Sequence, residues 1–214
     1  MNYTKNLAAI FFMLLAGPLL AASPEELIRP IQDQWAEIKY RQPAKQHEDL
    51  YETLAQQAHK LAEAHPNMAE ALVWEGIVVS SQAGARGGLG ALSLAKQARN
   101  LLEESLKLDE KALNGSAYTS LATLYAKVPG WPIGFGDKKR AETLFRKSLA
   151  INPTGIDPNF FYAEFLVDRD RYDEARPYLD AALRAPARPG RELADKGRRQ
   201  EIHALLARIE KETR

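Results

Sequence analysis

The sequence predicts an all-α protein built as a stack of helix pairs, and three observations carry that expectation. First, three segments repeat one pattern: Ala98, Leu101, Leu102, Ser105, Leu106; then Ala141, Leu144, Phe145, Ser148, Leu149; then Ala175, Tyr178, Leu179, Ala182, Leu183. Each set falls at i, i+3, i+4, i+7 and i+8, which is one face of an amphipathic helix. Second, Ala141 and Ala175 lie 34 residues apart, the scale of one helix–turn–helix unit. Third, no stretch alternates apolar and polar residues between turn signals, as a strand or hairpin would.

Composition sets the bounds. The chain has 214 residues, of which 45% are apolar and 27% charged, enough for one domain with a real core. Its formal charge of +1 gives no global field toward nucleic acid or an anionic membrane, so any membrane association is expected through a partner. The absence of cysteine removes disulfides, thiolate nucleophiles, thiolate metal sites and a lipid-modified cysteine.

Residues 1–22 read as a secretory signal peptide. Lys5 and the α-amino group form a positive start, residues 7–16 are uncharged and mostly apolar, and Gly17-Pro18 ends the run. Leu19-Leu20-Ala21-Ala22 offers small residues for cleavage after Ala22 or Ala21. The run is shorter than the roughly 20 apolar residues of a membrane span; a retained N-terminal anchor is the alternative. Cleavage would leave a mature chain in the periplasm or outside the cell.

The mature chain divides into an N-terminal helical cap (23–66), helix-pair repeats (67–190) and a C-terminal capping helix (191–214). In the cap, residues 25–40 and 46–64 read as helices separated by Pro43, and Ala58, Leu61 and Ala62 form a weaker copy of the repeat face. Each strong copy follows another helical segment, at 69–81, 116–127 and 159–168. Asn67 with Glu70 resembles a capping box. Asp157 before Pro158 reads as an N-cap, and Asp137 as the cap of the helix that follows it. The last helix directs Leu193, Ile202, Leu205, Leu206 and Ile209 inward, as a solenoid cap with a wet outer face requires.

The segment Asp170-Arg171-Tyr172-Asp173-Glu174-Ala175, followed by Leu179 and Ala182, resembles the tetratricopeptide repeat (TPR), as do Ala141, Phe145 and Pro153. Gly76, Ala122 and Ala163 fill the small-residue position of the first helices. The signature Trp is missing from its place, where Leu72, Tyr118 and Asn159 stand. The resemblance covers about residues 68–187 and implies an α-solenoid of about three TPR-like pairs whose first helices line a concave face.

Two departures are informative. Val79 to Ala98 and Tyr125 to Ala141 are longer than a repeat turn allows, which predicts enlarged loops at 82–91 and 128–137. Equivalent insertions emerge on one edge of a repeat stack, so the two should be neighbours. With residues 155–162, these segments resemble a group of secreted bacterial TPR proteins. More distantly, the chain is similar to the T-component of tripartite (TRAP) periplasmic transporters. That resemblance implies a helical-repeat protein with a ligand-sized pore, proposed to work beside a solute-binding protein.

Several residues are candidates for binding. Trp131 and Phe135 are either partner anchors or plugs that hold their loop. Arg86 among Gly84, Gly87, Gly88 and Gly90 is either an anion site or part of a wide turn. Tyr118, Tyr125, Phe161 and Tyr162 either wall a groove or form inter-repeat core. The basic run Arg184, Arg188, Arg191, Lys196, Arg198 and Arg199 is diluted by acids and reads as a solvated turn and helix face. No His-Glu-x-x-His, Gly-x-Ser-x-Gly or Walker-type spacing occurs, so no catalytic, metal or cofactor residues are expected. The expected function is a non-catalytic protein- or peptide-binding scaffold using the concave face and the two loops. The alternative is a small-molecule-binding accessory protein of a periplasmic transport system. An open groove favours the first, and an enclosed pocket the second.

Overall fold

The computed structural model describes residues 22–214, and every regular element among them is helical. The predicted signal peptide falls almost wholly outside the described residues. Four helix pairs follow one another: α1 (Pro24–Arg41) with α2 (His47–Ala64), α3 (Ala69–Arg86) with α4 (Gly88–Leu108), α5 (Ser116–Lys127) with α6 (Lys138–Ile151), and α7 (Ile156–Val167) with α8 (Tyr172–Leu183). The last helix, α9 (Glu192–Glu212), packs on α7 and α8 and also reaches α1.

The repeated face is the core. Ala98, Leu102, Ser105, Ala141, Phe145, Ser148, Ala175, Leu179 and Ala182 are all buried, while Leu101, Leu106, Leu144, Leu149, Tyr178 and Leu183 pack around them. Cutting back a side chain such as Phe145 to Ala would cost about 3–5 kcal/mol. The small residues sit where helices cross. A Cβ on Gly76 would lie 2.8 Å from Leu102 Cγ, so α4 approaches α3 only because residue 76 has no side chain. A second core beneath α1–α3 collects Ile28, Ile31, Leu54, Ala58 and Val78.

Helix ends follow local chemistry, with two corrections. Ser23 and Glu26 close a capping box at α1, and Asp137 accepts from the backbone N–H groups of Lys139 and Arg140 at α6, as expected. The expected Asn67 cap does not form, because α3 begins after Met68 without a side-chain cap. Asp157 is not an N-cap either. Gly155 holds that position, and the Asp157 carboxylate is drawn away by arginines.

The two predicted loops differ. Residues 128–137 do form a loop: Gly136 N–H donates to Pro129 O (2.9 Å) and Asp137 N–H to Tyr125 O (2.9 Å). Residues 82–91 do not. The extra residues lengthen α3 and α4, and the chain reverses only at Gly87 and Gly88 (φ +64° and +59°). Gly84 and Gly90 are helical, since their neighbours Ala83, Ala85, Arg86 and Ala91 favour helix enough to carry them. The 128–137 loop packs on α4 just past the 82–91 stretch: Gly134 lies against Leu92, and Phe135 lies under the Arg99 guanidinium, 4.6 Å from its ring centre.

Candidate functional site: the cavity inside the ring

The pairs curl until the first helix meets the last. Arg29 Nη1 donates to Pro189 O (3.0 Å), Tyr40 Oη donates to Glu201 Oε2 (3.2 Å), and Lys39 Nζ lies 3.4 Å from Glu201 Oε1. Gly197 is flat against the Tyr40 ring, leaving no room for a Cβ. This contact turns a concave face into the wall of a partly open cavity of about 1390 Å³, lined by α1, α3, α5, α7 and α9 with residues of α2 and α4.

One wall is aromatic. Trp35 stands edge-on to both Tyr40 (6.0 Å) and Trp74 (6.1 Å), and its Nε1–H donates to Ser81 Oγ (2.9 Å). Phe160 and Phe161 form a second aromatic patch at 5.2 Å. The Arg198 guanidinium covers both rings, at 4.5 and 4.4 Å from their centres.

Arg198 belongs to an ion-pair network. Its Nε lies 2.8 Å from Asp157 Oδ1 and its Nη1 2.6 Å from Glu201 Oε2. Arg188 Nη1 takes the other Asp157 oxygen at 2.6 Å, and its Nη2 lies 2.7 Å from Asp195 Oδ1. Burial works to raise the Asp157 pKa, but Arg198 and then Arg188 outweigh it and hold the carboxyl well below the usual range. Burial likewise opposes the charge on Arg198, yet Asp157 keeps its pKa above the ordinary arginine value. Glu201 joins this network to the α1 contact, so the charges fasten the ring closed. Across the cavity, Lys127 pairs with Asp168 (2.6 Å) and Glu164 (3.3 Å), and Arg208 with Asp168 (3.1 Å).

For Arg188, Arg191 and Arg198 this overturns the reading of the basic run as a solvated face, whereas Arg184 and Lys196 are exposed as that reading expects. Arg191, Ala194, Arg198, Glu201, Leu205 and Arg208 form one stripe of α9 that faces the cavity. The signal was in the sequence: these residues recur at spacings of three and four, like an apolar stripe, but carry charge. Arg198 finds Glu201 on its own helix, but Asp157 and Asp168, which answer Arg198 and Arg208, lie far off in sequence, and one-dimensional reading does not connect them.

The expected binding residues separate by environment. Phe161 lines the cavity. Tyr118, Tyr125 and Tyr162 are buried, and Phe135 is half-buried, edge-on to Tyr125 at 5.4 Å. Arg86 turns to α2, where Glu48 (2.7 Å) and Glu52 (3.8 Å) meet its charge. Trp131 is 90% exposed, with Ile133 65% exposed on the same loop and Leu89 89% exposed at the start of α4. Leu89 and Ile133 both reach the cavity rim. Sequence reading missed Trp35, Tyr40, Trp74, Asp157, Arg188 and Arg198 as cavity residues.

A tetratricopeptide repeat family matches residues 133–209, from the 128–137 loop through most of α9. No curated protein matches the chain. Repeats of this family generally serve as protein–protein interaction scaffolds and are typically non-catalytic. Residues 133–209 are thus similar to the tetratricopeptide repeat, and they lie within an all-α, TPR-like solenoid of helix pairs.

Proposed function

We propose that the protein is a non-catalytic, exported binding protein whose ring holds a small organic ligand. The observation that carries this reading is the contact of α1 with α9 and the turn before it through Arg29, Tyr40 and Lys39, which bounds a partly open cavity of about 1390 Å³. A folded partner needs an open concave surface, whereas an aromatic-walled cavity with a few placed polar groups suits a small molecule. The order of the two sequence readings is therefore reversed. Export to the periplasm rests on residues 1–22, and a role in a transport system rests on the resemblance to the T-component. Phe161 is assigned to the cavity. Tyr118, Tyr125, Phe135 and Tyr162 are assigned to packing, and Arg86 to its ion pairs with α2.

A protein partner keeps one specific support. Leu89 and Ile133 expose apolar surface at the rim, with exposed Trp131 on the same loop as Ile133, and a transport-system component could seat there. Native mass spectrometry of the protein purified without denaturation tests the primary reading. A bound mass below about 1 kDa, released on unfolding, is the expected result. A protein that is empty as isolated, and stays empty after incubation with native envelope extract, would overturn it. Cross-linked capture with the wild type and a Leu89→Ala/Trp131→Ala variant tests the rim. A partner lost in the variant supports the docking reading, and one retained contradicts it.

A further inference from the structure

The cationic side chains lining the cavity are Lys39, Lys127, Arg188, Arg191, Arg198 and Arg208. All but one are within 4.0 Å of a carboxylate. Arg191 is the exception among the described residues. It is half-buried, and its guanidinium lies over the Trp74 ring, 5.1 Å from the centre. Asp157 and Asp195 act on the Arg191 charge only from beyond 4.0 Å, so its partial loss of water is not made good by a direct ion pair.

Two buried polar groups in the cavity wall also lack partners. Trp74 is 5% exposed and its Nε1–H has no acceptor; Tyr51 is 2% exposed and its hydroxyl has no partner. Both residues line the same cavity. Arg191 is the N-cap of α9, whose first turn has no side-chain cap, and Ala194 in that turn also lines the cavity. The uncommitted Arg191 charge and the helix N-terminus beside it thus share one sign of preference, toward an anion.

We propose that this corner of the cavity is an anion subsite in which Arg191 anchors the single carboxylate of a ligand with an apolar body. One carboxylate is favoured over a phosphate dianion because only one cation is uncommitted; Arg188 and Arg198 are already held by Asp157, Asp195 and Glu201. The apolar body would lie along the wall of Trp35, Tyr40 and Trp74. Burial and then repulsion from Arg188 lower the Arg191 pKa to about 10, so it stays charged at neutral pH while lacking a partner. A carboxylate would relieve both effects.

The inference rests on the small-ligand reading, and decanoate and decanol, titrated into the mature protein by calorimetry, separate the two. Decanoate is expected to bind about tenfold or more tightly than decanol, the size of one charge-assisted contact. Arg191→Gln, verified by circular dichroism, should abolish that preference while decanol binds as before. Equal binding of the two probes to wild type, or a preference that survives Arg191→Gln, overturns the anchor while leaving the cavity reading standing. No binding of either probe to wild type overturns both. Binding of inorganic phosphate with decanoate-like affinity would overturn the choice of a carboxylate.

Discussion

Arg191 and Arg198 stand seven residues apart on one face of α9, two turns of the same stripe, and the protein treats them in opposite ways. Arg198 is 5% exposed, sandwiched between Asp157, Glu201 and two phenylalanine rings. Arg191 has one aromatic face and no carboxylate within 4.0 Å among the described residues, with Asp157 and Asp195 acting on it from farther away. An arginine whose charge is fully answered acts as a fastener, and removing it leaves buried carboxylates unpaired. An arginine whose charge is unanswered adds little to the fold and keeps its binding capacity for something else. The same residue type on the same helix face therefore divides between closing the ring and furnishing its interior.

The contrast is broken first by removing the fastener. Arg198→Ala should destabilise the protein by about 3–5 kcal/mol in chemical denaturation, because it strands Asp157 and Glu201. A loss under about 1 kcal/mol would mean that the network does not hold the ring. Acid should loosen the same network. The folded-state pKa of Asp157 lies below its unfolded value, so its contribution is present above about pH 4 and is lost as pH falls further. The melting temperature of wild type should thus drop more steeply below pH 4 than that of Asp157→Asn. Parallel curves would contradict the assignment.

The aromatic loop supplies a second pair of unequal residues. Phe135 wedges between Tyr125 and Arg99, and Phe135→Ala should cost about 1–2 kcal/mol. Trp131, almost wholly in solvent, should be replaceable by Ala within about 0.5 kcal/mol, as should Arg191 by Gln. Thermal melts read all three. A large loss in either of the latter two would assign that residue to structure rather than to binding.

What was legible in the sequence follows from range. The Ala–Leu–Ser stripes at 98–105, 141–148 and 175–182 were legible because burial on a helix repeats locally, whatever the rest of the chain does. The 128–137 loop was legible because two prolines and three glycines deny it a helix. The stretch 82–91 was misread for a related reason: its glycines suggested a loop, but only Gly87 and Gly88 adopt left-handed backbone. Asp157 looked like a cap because an Asp before a Pro often is one; its real partners stand 31 and 41 residues away. Ring closure was the least legible feature. It is the sum of small rotations from pair to pair, sealed by contacts about 160 residues apart, and no local window contains it.

Zero-length carbodiimide cross-linking of the wild-type protein, read by peptide mass spectrometry, tests that closure most directly. Lys39 Nζ is 3.4 Å from a Glu201 oxygen, and Lys127 Nζ is 2.6 Å from an Asp168 oxygen as an internal control on the opposite wall. A closed ring predicts both cross-links within a single chain. Formation of the Lys127–Asp168 link without any Lys39–Glu201 link would show an open solenoid, and the cavity would go with it.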